Sequence, residues 1–83
     1  MDYLANTPDQ LAQILRGRRK SKRLTQKTAS AKTGLLPKTI SAMENTPDGS
    51  TLESLFKLLS ALELELVLRS KTAERQFPSK LEW

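Results

Sequence analysis

The chain has 83 residues, enough for one small domain and a tail, because two independent cores would leave each at about 40 residues, a size that usually needs disulfides or metals. Cysteine and histidine are both absent, which removes disulfides, thiolate nucleophiles, zinc sites built from those residues and the commonest general base. Fourteen basic against nine acidic side chains leave a net charge of +5, a balance that favours polyanionic partners, and no apolar run approaches the roughly 20 residues needed to cross a bilayer.

Met1-Asp2-Tyr3-Leu4 has neither the basic stretch nor the long apolar segment of a secretory signal, so a cytoplasmic setting is expected. Thr7-Pro8-Asp9-Gln10 predicts a helix start. Thr7 serves as N-cap, Pro8 opens the first turn, Asp9 meets the positive dipole end and Gln10 can close a capping box. Leu11, Ile14 and Leu15 give one apolar face, and the helix should run to about Lys22. Its end carries Arg16-Gly17-Arg18-Arg19-Lys20-Ser21-Lys22-Arg23, six of the nine basic residues found in residues 1–46. That segment holds three acidic residues and a charge of +6, whereas residues 47–83 hold five basic and six acidic for −1. The front half is therefore the half that faces a polyanion, although a basic run also suits a solvated helix end.

Thr25 can cap a second helix, Gln26 to Thr33, which Gly34 would end in the left-handed conformation. Its buried face is thin, since Ala29 and Thr33 stand where larger aliphatic residues are expected. Leu36 precedes Pro37 and so breaks the chain; Pro37 then opens a third helix to about Asn45, with Ile40 and Met43 on one face. Asn45-Thr46-Pro47-Asp48-Gly49 is a turn cluster. Ser50-Thr51-Leu52-Glu53 reads as a capping box for a fourth helix whose Leu52, Leu55, Phe56, Leu58, Leu59 and Leu62 follow helical spacing.

From Leu62 the period changes to two, with Leu64, Leu66 and Leu68 alternating with Glu63, Glu65 and Val67. A single strand after four helices has no partner in its own chain, so the same strand from a second copy is the expected remedy and Leu64, Leu66 and Leu68 are candidate dimerisation residues. Continuation of the fourth helix through Leu68 is the alternative. Residues 1–69 thus form the domain, and residues 70–83, polar apart from Phe77, Leu81 and Trp83, a flexible tail.

Two short helices joined by a Gly-containing turn, the second presenting polar and basic side chains, are the helix-turn-helix arrangement in which that second helix enters a major groove. Leu24-Thr25-Gln26, Gly34, Thr39-Ile40-Ser41 and Glu44-Asn45 resemble the xenobiotic-response-element and phage lambda repressor family. The resemblance implies a mainly α, four-helix, lambda-repressor-like domain. The Asn-Thr-Pro-Asp-Gly-Ser-Thr-Leu loop, the Phe-Lys-Leu-Leu-Ser-Ala-Leu-Glu-Leu helix, the strand and the final Leu81-Glu82-Trp83 further resemble the HipB-like antitoxins. That likeness implies a homodimer joined partly by a β-ribbon, repression of its own operon through a palindromic operator, and association with a HipA-like serine/threonine kinase toxin. It also makes Trp83 a partner-binding residue of the tail.

The resemblance makes Gln26 a phosphate-contacting and helix-bracing residue. Lys27 joins it on the DNA side. Lys38 can donate to guanine O6 and N7 or to a phosphate, whereas Leu36 and Pro37, departures from the usual polar residues, suit apolar contact such as a thymine methyl. Thr39, Ser41 and Asn45 can reach phosphates or act as local caps, and Ala42 completes the surface. Glu44 is read as structural, reaching a basic helix end, because a carboxylate facing DNA would be repelled. Glu63 and Glu65 are expected to be solvated edge charges. No catalytic, metal or cofactor residue is expected, and a protein-interaction module that keeps the fold without reading sequence is the rival function.

Overall fold

The computed structural model describes residues 2–71; the expected tail from residue 72 onward, with Trp83, lies outside the described residues. Among the described residues four helices are joined by short connections: α1 (Pro8–Ser21), α2 (Gln26–Thr33), α3 (Pro37–Asn45) and, after a 3-10 turn at Pro47–Gly49, α4 (Leu52–Ala61). Local chemistry places each start. The Thr7 hydroxyl accepts the Gln10 N–H at 3.1 Å, and the Gln10 side chain reaches back to the Asn6 N–H, one residue upstream of the expected capping box. Arg18, Arg19 and Lys20 lie in the last turn of α1, where the dipole favours cations. Thr25 caps α2 by exchanging hydrogen bonds with Thr28, and Pro37 opens α3.

The cap of α4 corrects the expected one. Thr51, not Ser50, is the N-cap, and it accepts from the Ser54 N–H at 3.1 Å, so Glu53 closes no box. Adjacent hydroxyl residues offer two equivalent caps, and the inward phase of Leu55, Leu58 and Leu59 selects the second.

The core forms where Leu15, Met43, Leu58, Leu59 and Leu62 meet, with Leu11, Leu24, Leu35, Leu55 and Leu64 packed around them. It is small for the chain. α3 contacts α1, α2 and α4, so it is the central element, and Ile40 and Met43 are its buried apolar residues.

Two helices end in the same way. Past α1, the Arg23 N–H bonds the Lys20 carbonyl and the Leu24 N–H bonds that of Arg19; past α4, the Glu63 and Leu64 N–H groups bond the Ser60 and Leu59 carbonyls. These are Schellman caps, in which the left-handed residue is usually glycine. Here it is Arg23 (φ 60°) and Glu63 (φ 58°). In each, the following leucine turns back onto the core.

The two ends are also latched together. Arg18 Nε donates to the Leu62 carbonyl at 2.9 Å, and Lys22 Nζ reaches Glu63 Oε1 at 2.7 Å. That hydrogen bond holds the exposed Glu63 carboxyl below the usual carboxylate range. Glu63 is therefore not a free edge charge. It and the Leu62 cap stop α4, which rules out the helix continuing through Leu68.

Residues 64–70 carry neither helix nor strand, and no strand is assigned among the described residues. Leu64 packs on the core of its own chain, Leu66 is 48% exposed and Leu68 88% exposed. Arg69 lies 3.5 Å from Asp2, which sets this segment beside the N-terminal one.

A left-handed residue with a Cβ costs roughly 1–2 kcal/mol that glycine does not incur. Arg23→Gly is therefore expected to stabilise the domain by about 1 kcal/mol, read from the urea midpoint, whereas Arg23→Ala, which keeps the Cβ, should leave it nearly unchanged.

Candidate nucleic-acid interface

The site is built around one carboxylate. Glu44, on the inner face of α3, has a side chain only 1% exposed. Arg19 at the end of α1 grips both its oxygens, Nε to Oε2 at 2.7 Å and the second terminal nitrogen to Oε1 at 3.0 Å, while its remaining nitrogen donates to the Leu24 carbonyl at 2.7 Å. Gln26 Nε2 adds a bond to Oε1 at 3.3 Å from the first position of α2. The hydrogen bond to Glu44 raises the guanidinium's affinity for its proton still further. Glu44 has the structural role expected of it, and Gln26 braces α2 against α3.

Sinking Glu44 leaves the outer faces of α2 and α3 without an exposed carboxylate, since α2 contains no acidic residue and α3 no other. Lys27 and Lys38 are exposed there. Leu36 is the N-cap of α3, makes no side-chain cap bond and is 63% exposed, with Pro37 exposed beside it. A large apolar side chain, a proline and a lysine thus stand at the leading end of the central helix.

Ser41 and Asn45 follow along the same helix at a spacing of four, and Asn45 Nδ2 folds back to the Ser41 carbonyl and hydroxyl at 2.9 and 3.3 Å. The asparagine amide is locally engaged. Thr39 and Ala42 are half-buried flanking positions. Lys27, Leu36, Pro37, Lys38 and Asn45 are thus exposed on the outer side of the two helices, with Ser41 half-buried beside Asn45, while Gln26 points inward. Sequence reasoning missed the bracing side chains Arg18, Lys22, Ser30 and Thr33. Nothing in their spacing signals partners 41 or 44 residues away for Lys22 and Arg18.

Among the described residues no group of acidic side chains could hold a metal ion. Among the described residues no helix is long and apolar enough to cross a membrane. An apolar groove of about 310 Å³ lies on another face, lined by residues including Pro8, Leu11, Leu52, Leu55 and Leu66.

Removing one partner of a buried pair leaves an uncompensated charge. Glu44→Ala should therefore lose roughly 3–5 kcal/mol of stability, whereas replacing both partners with apolar residues, Arg19→Met with Glu44→Leu, should recover most of that loss in urea unfolding.

The helix-turn-helix family matches over residues 15–68. Antitoxin HipB of Escherichia coli (strain K12) is 36% identical over 80 residues, spanning 93% of this chain and 91% of that protein. The solved HipA-HipB-O2-O3 complex contains a chain that matches with a TM-score of 0.80 at 36% identity, over 83% of this chain and 97% of that one. A HipB variant in complex with an O2 20mer matches with a TM-score of 0.82 at 35% identity, over 87% and 100% of the two chains. The four helices, the buried ionic brace and the carboxylate-free leading end of α3 are thus found in a chain that belongs to the helix-turn-helix family and, within it, to the HipB antitoxins.

Proposed function

We propose that the chain is an antitoxin and transcriptional autorepressor, binding a palindromic operator as a homodimer and associating with a HipA-like serine/threonine kinase toxin. The observation that carries this reading is the free, carboxylate-free leading end of α3, where Leu36, Pro37 and Lys38 project from a helix fixed by the Arg19–Glu44 pair. Related HipB chains of the same fold are solved with operator elements and with HipA. The chain works by binding, not turnover, in the bacterial cytoplasm.

The reading assigns roles by position. Lys27 and the end of α2 meet phosphates, Leu36 and Pro37 offer apolar contact to the major groove, and Lys38 reaches a base edge. Thr39, Ser41, Ala42 and Asn45 line the helix behind them, with Gln26 as their brace. Residues 1–69 act as the DNA-binding and dimerisation domain and residues 70–83 as a tail whose Trp83 engages a partner.

Dimerisation falls to the segment after α4. A strand whose partner is the same segment of a second copy has no ladder to form within one chain, and residues 64–69 carry neither helix nor strand. The exposed Leu66 and Leu68 supply apolar surface there, and Leu66 lines one groove with Leu52 of α4, which is 72% exposed. Two-fold symmetry then sets two copies of α3 about one helical turn apart, roughly 34 Å, and accounts for a palindromic site.

If each protomer neutralises about four phosphates, the log–log dependence of affinity on salt should have a slope near −7. Shift assays comparing DNA upstream of the chain's own reading frame with random DNA test the repressor reading; equal affinity for both favours an interaction module without sequence reading. Lys38→Ala should cost roughly 1–3 kcal/mol and alter base preference if it contacts guanine, or weaken all sequences alike if it contacts phosphate.

Leu66→Asp would place an unpaired charge in the dimer contact and should yield a monomer with much weaker operator affinity. A variant that sediments as a full dimer would locate the contact elsewhere.

A further inference from the structure

α2 has little apolar surface to hold it in place. Ala29 is its one buried residue, small for an anchor, and Thr33 stands where a larger aliphatic side chain is expected, with Ser30 one turn before Gly34. Both hydroxyls are engaged across the turn instead. Thr33 Oγ1 donates to the Ala29 carbonyl at 2.9 Å and accepts the Leu35 N–H at 3.0 Å, and Ser30 Oγ donates to the Leu35 carbonyl. Between them Gly34, at φ +80°, bonds its N–H to the Ser30 carbonyl at 2.9 Å.

Leu35 is thus held at both its backbone N–H and its carbonyl by side chains of α2, while its own side chain packs on the core. The peptide that carries the Leu35 carbonyl continues into Leu36, whose carbonyl accepts the Thr39 and Ile40 N–H groups and starts α3. Side chain, turn and helix start form one unbroken chain of bonds. It ends at Leu36, the exposed residue beside Pro37 and Lys38.

We propose that Ser30 and Thr33 are positioning residues for operator reading. Their hydroxyls replace a hydrophobic anchor and fix the pose of Leu36, Pro37 and Lys38 relative to the phosphate-facing start of α2. The assignment rests on the operator-reading function proposed above. A hydrophobic anchor constrains depth but not rotation about the turn, whereas one bond to each of the two peptide units that flank the Leu35 Cα constrains both. Base contacts depend on that rotation; phosphate attraction depends on it far less.

The test compares affinities for a duplex from upstream of the chain's own reading frame and a random duplex of equal length, at one salt concentration. Thr33→Val keeps the shape and deletes the hydroxyl, and Thr33→Ser restores it. With Thr33→Val, affinity for the own-promoter duplex should fall roughly tenfold, about the worth of one lost hydrogen bond, while random-duplex affinity and the salt slope stay unchanged. Amide exchange at Leu35 should accelerate, and Thr33→Ser should reverse both effects. Unchanged selectivity in Thr33→Val, or an equal fall on both duplexes, overturns the proposal. Ser30→Ala carries the same comparison if Thr33→Val proves too unstable to assay. A wild-type chain that does not prefer its own promoter defeats the repressor reading itself, and this proposal with it.

Discussion

The buried Arg19–Glu44 pair is the constraint on which the arrangement of the other helices depends. Taking two charges out of water is costly, and the cost is offset only where geometry is good and the remaining polar atoms find partners. Both conditions are met: the guanidinium meets the carboxylate with two parallel bonds, and Leu24 and Gln26 take up further capacity. Because the four groups come from α1, the loop after it, the first position of α2 and the inner face of α3, one ionic contact sets the mutual placement of three helices. An apolar cluster as small as that around Leu15, Met43 and Leu58 could slide by a fraction of a turn. A bidentate pair cannot slide without leaving a buried charge exposed to no partner.

The same contact has an electrostatic consequence on the opposite side of α3. A helix destined to face phosphates gains by hiding its carboxylate, and Glu44 is hidden by being used. What remains on the outside is lysine, hydroxyl and apolar surface, so stability and function draw on one residue for different reasons. α2 shows a related economy. With almost no apolar face, it is tied down by Thr25 and Thr28 at its start, Gln26 at its flank and Ser30 and Thr33 at its end. At the same end of α1, Arg18 and Lys22 meet the end of α4, so the basic helix also directs the departure of residues 64–70.

Local signals in the sequence were legible where one residue has one physical use. Thr7 and Pro8, Thr25, and Pro37 mark the starts of α1, α2 and α3, Gly34 ends α2, and the structural role of Glu44 followed from the repulsion a groove-facing carboxylate would suffer. Reading failed where two residues compete or where the cause lies far away in sequence. Ser50 and Thr51 are both competent caps. Arg23 and Glu63 occupy positions that normally announce themselves with glycine, so neither Schellman cap was visible in advance. The latch between Lys22 and Glu63 joins residues 41 apart with no pattern between them. The alternation from Leu62 to Leu68 correctly spoke against a continuing helix, because Glu63 turns the chain out of α4. Leu64, expected at a dimer contact, packs on its own core because the Schellman cap turns it inward.

The most direct measurement is chemical protection of DNA from upstream of the chain's own reading frame, using dimethyl sulfate, which methylates guanine N7 in the major groove and adenine N3 in the minor groove. A helix docked by its leading end, in a two-fold dimer, predicts two patches of guanine N7 protection centred about one helical turn apart, with adenine N3 between them still reactive. Unprotected guanine N7 throughout, or protection confined to adenine N3, would contradict a major-groove role for α3.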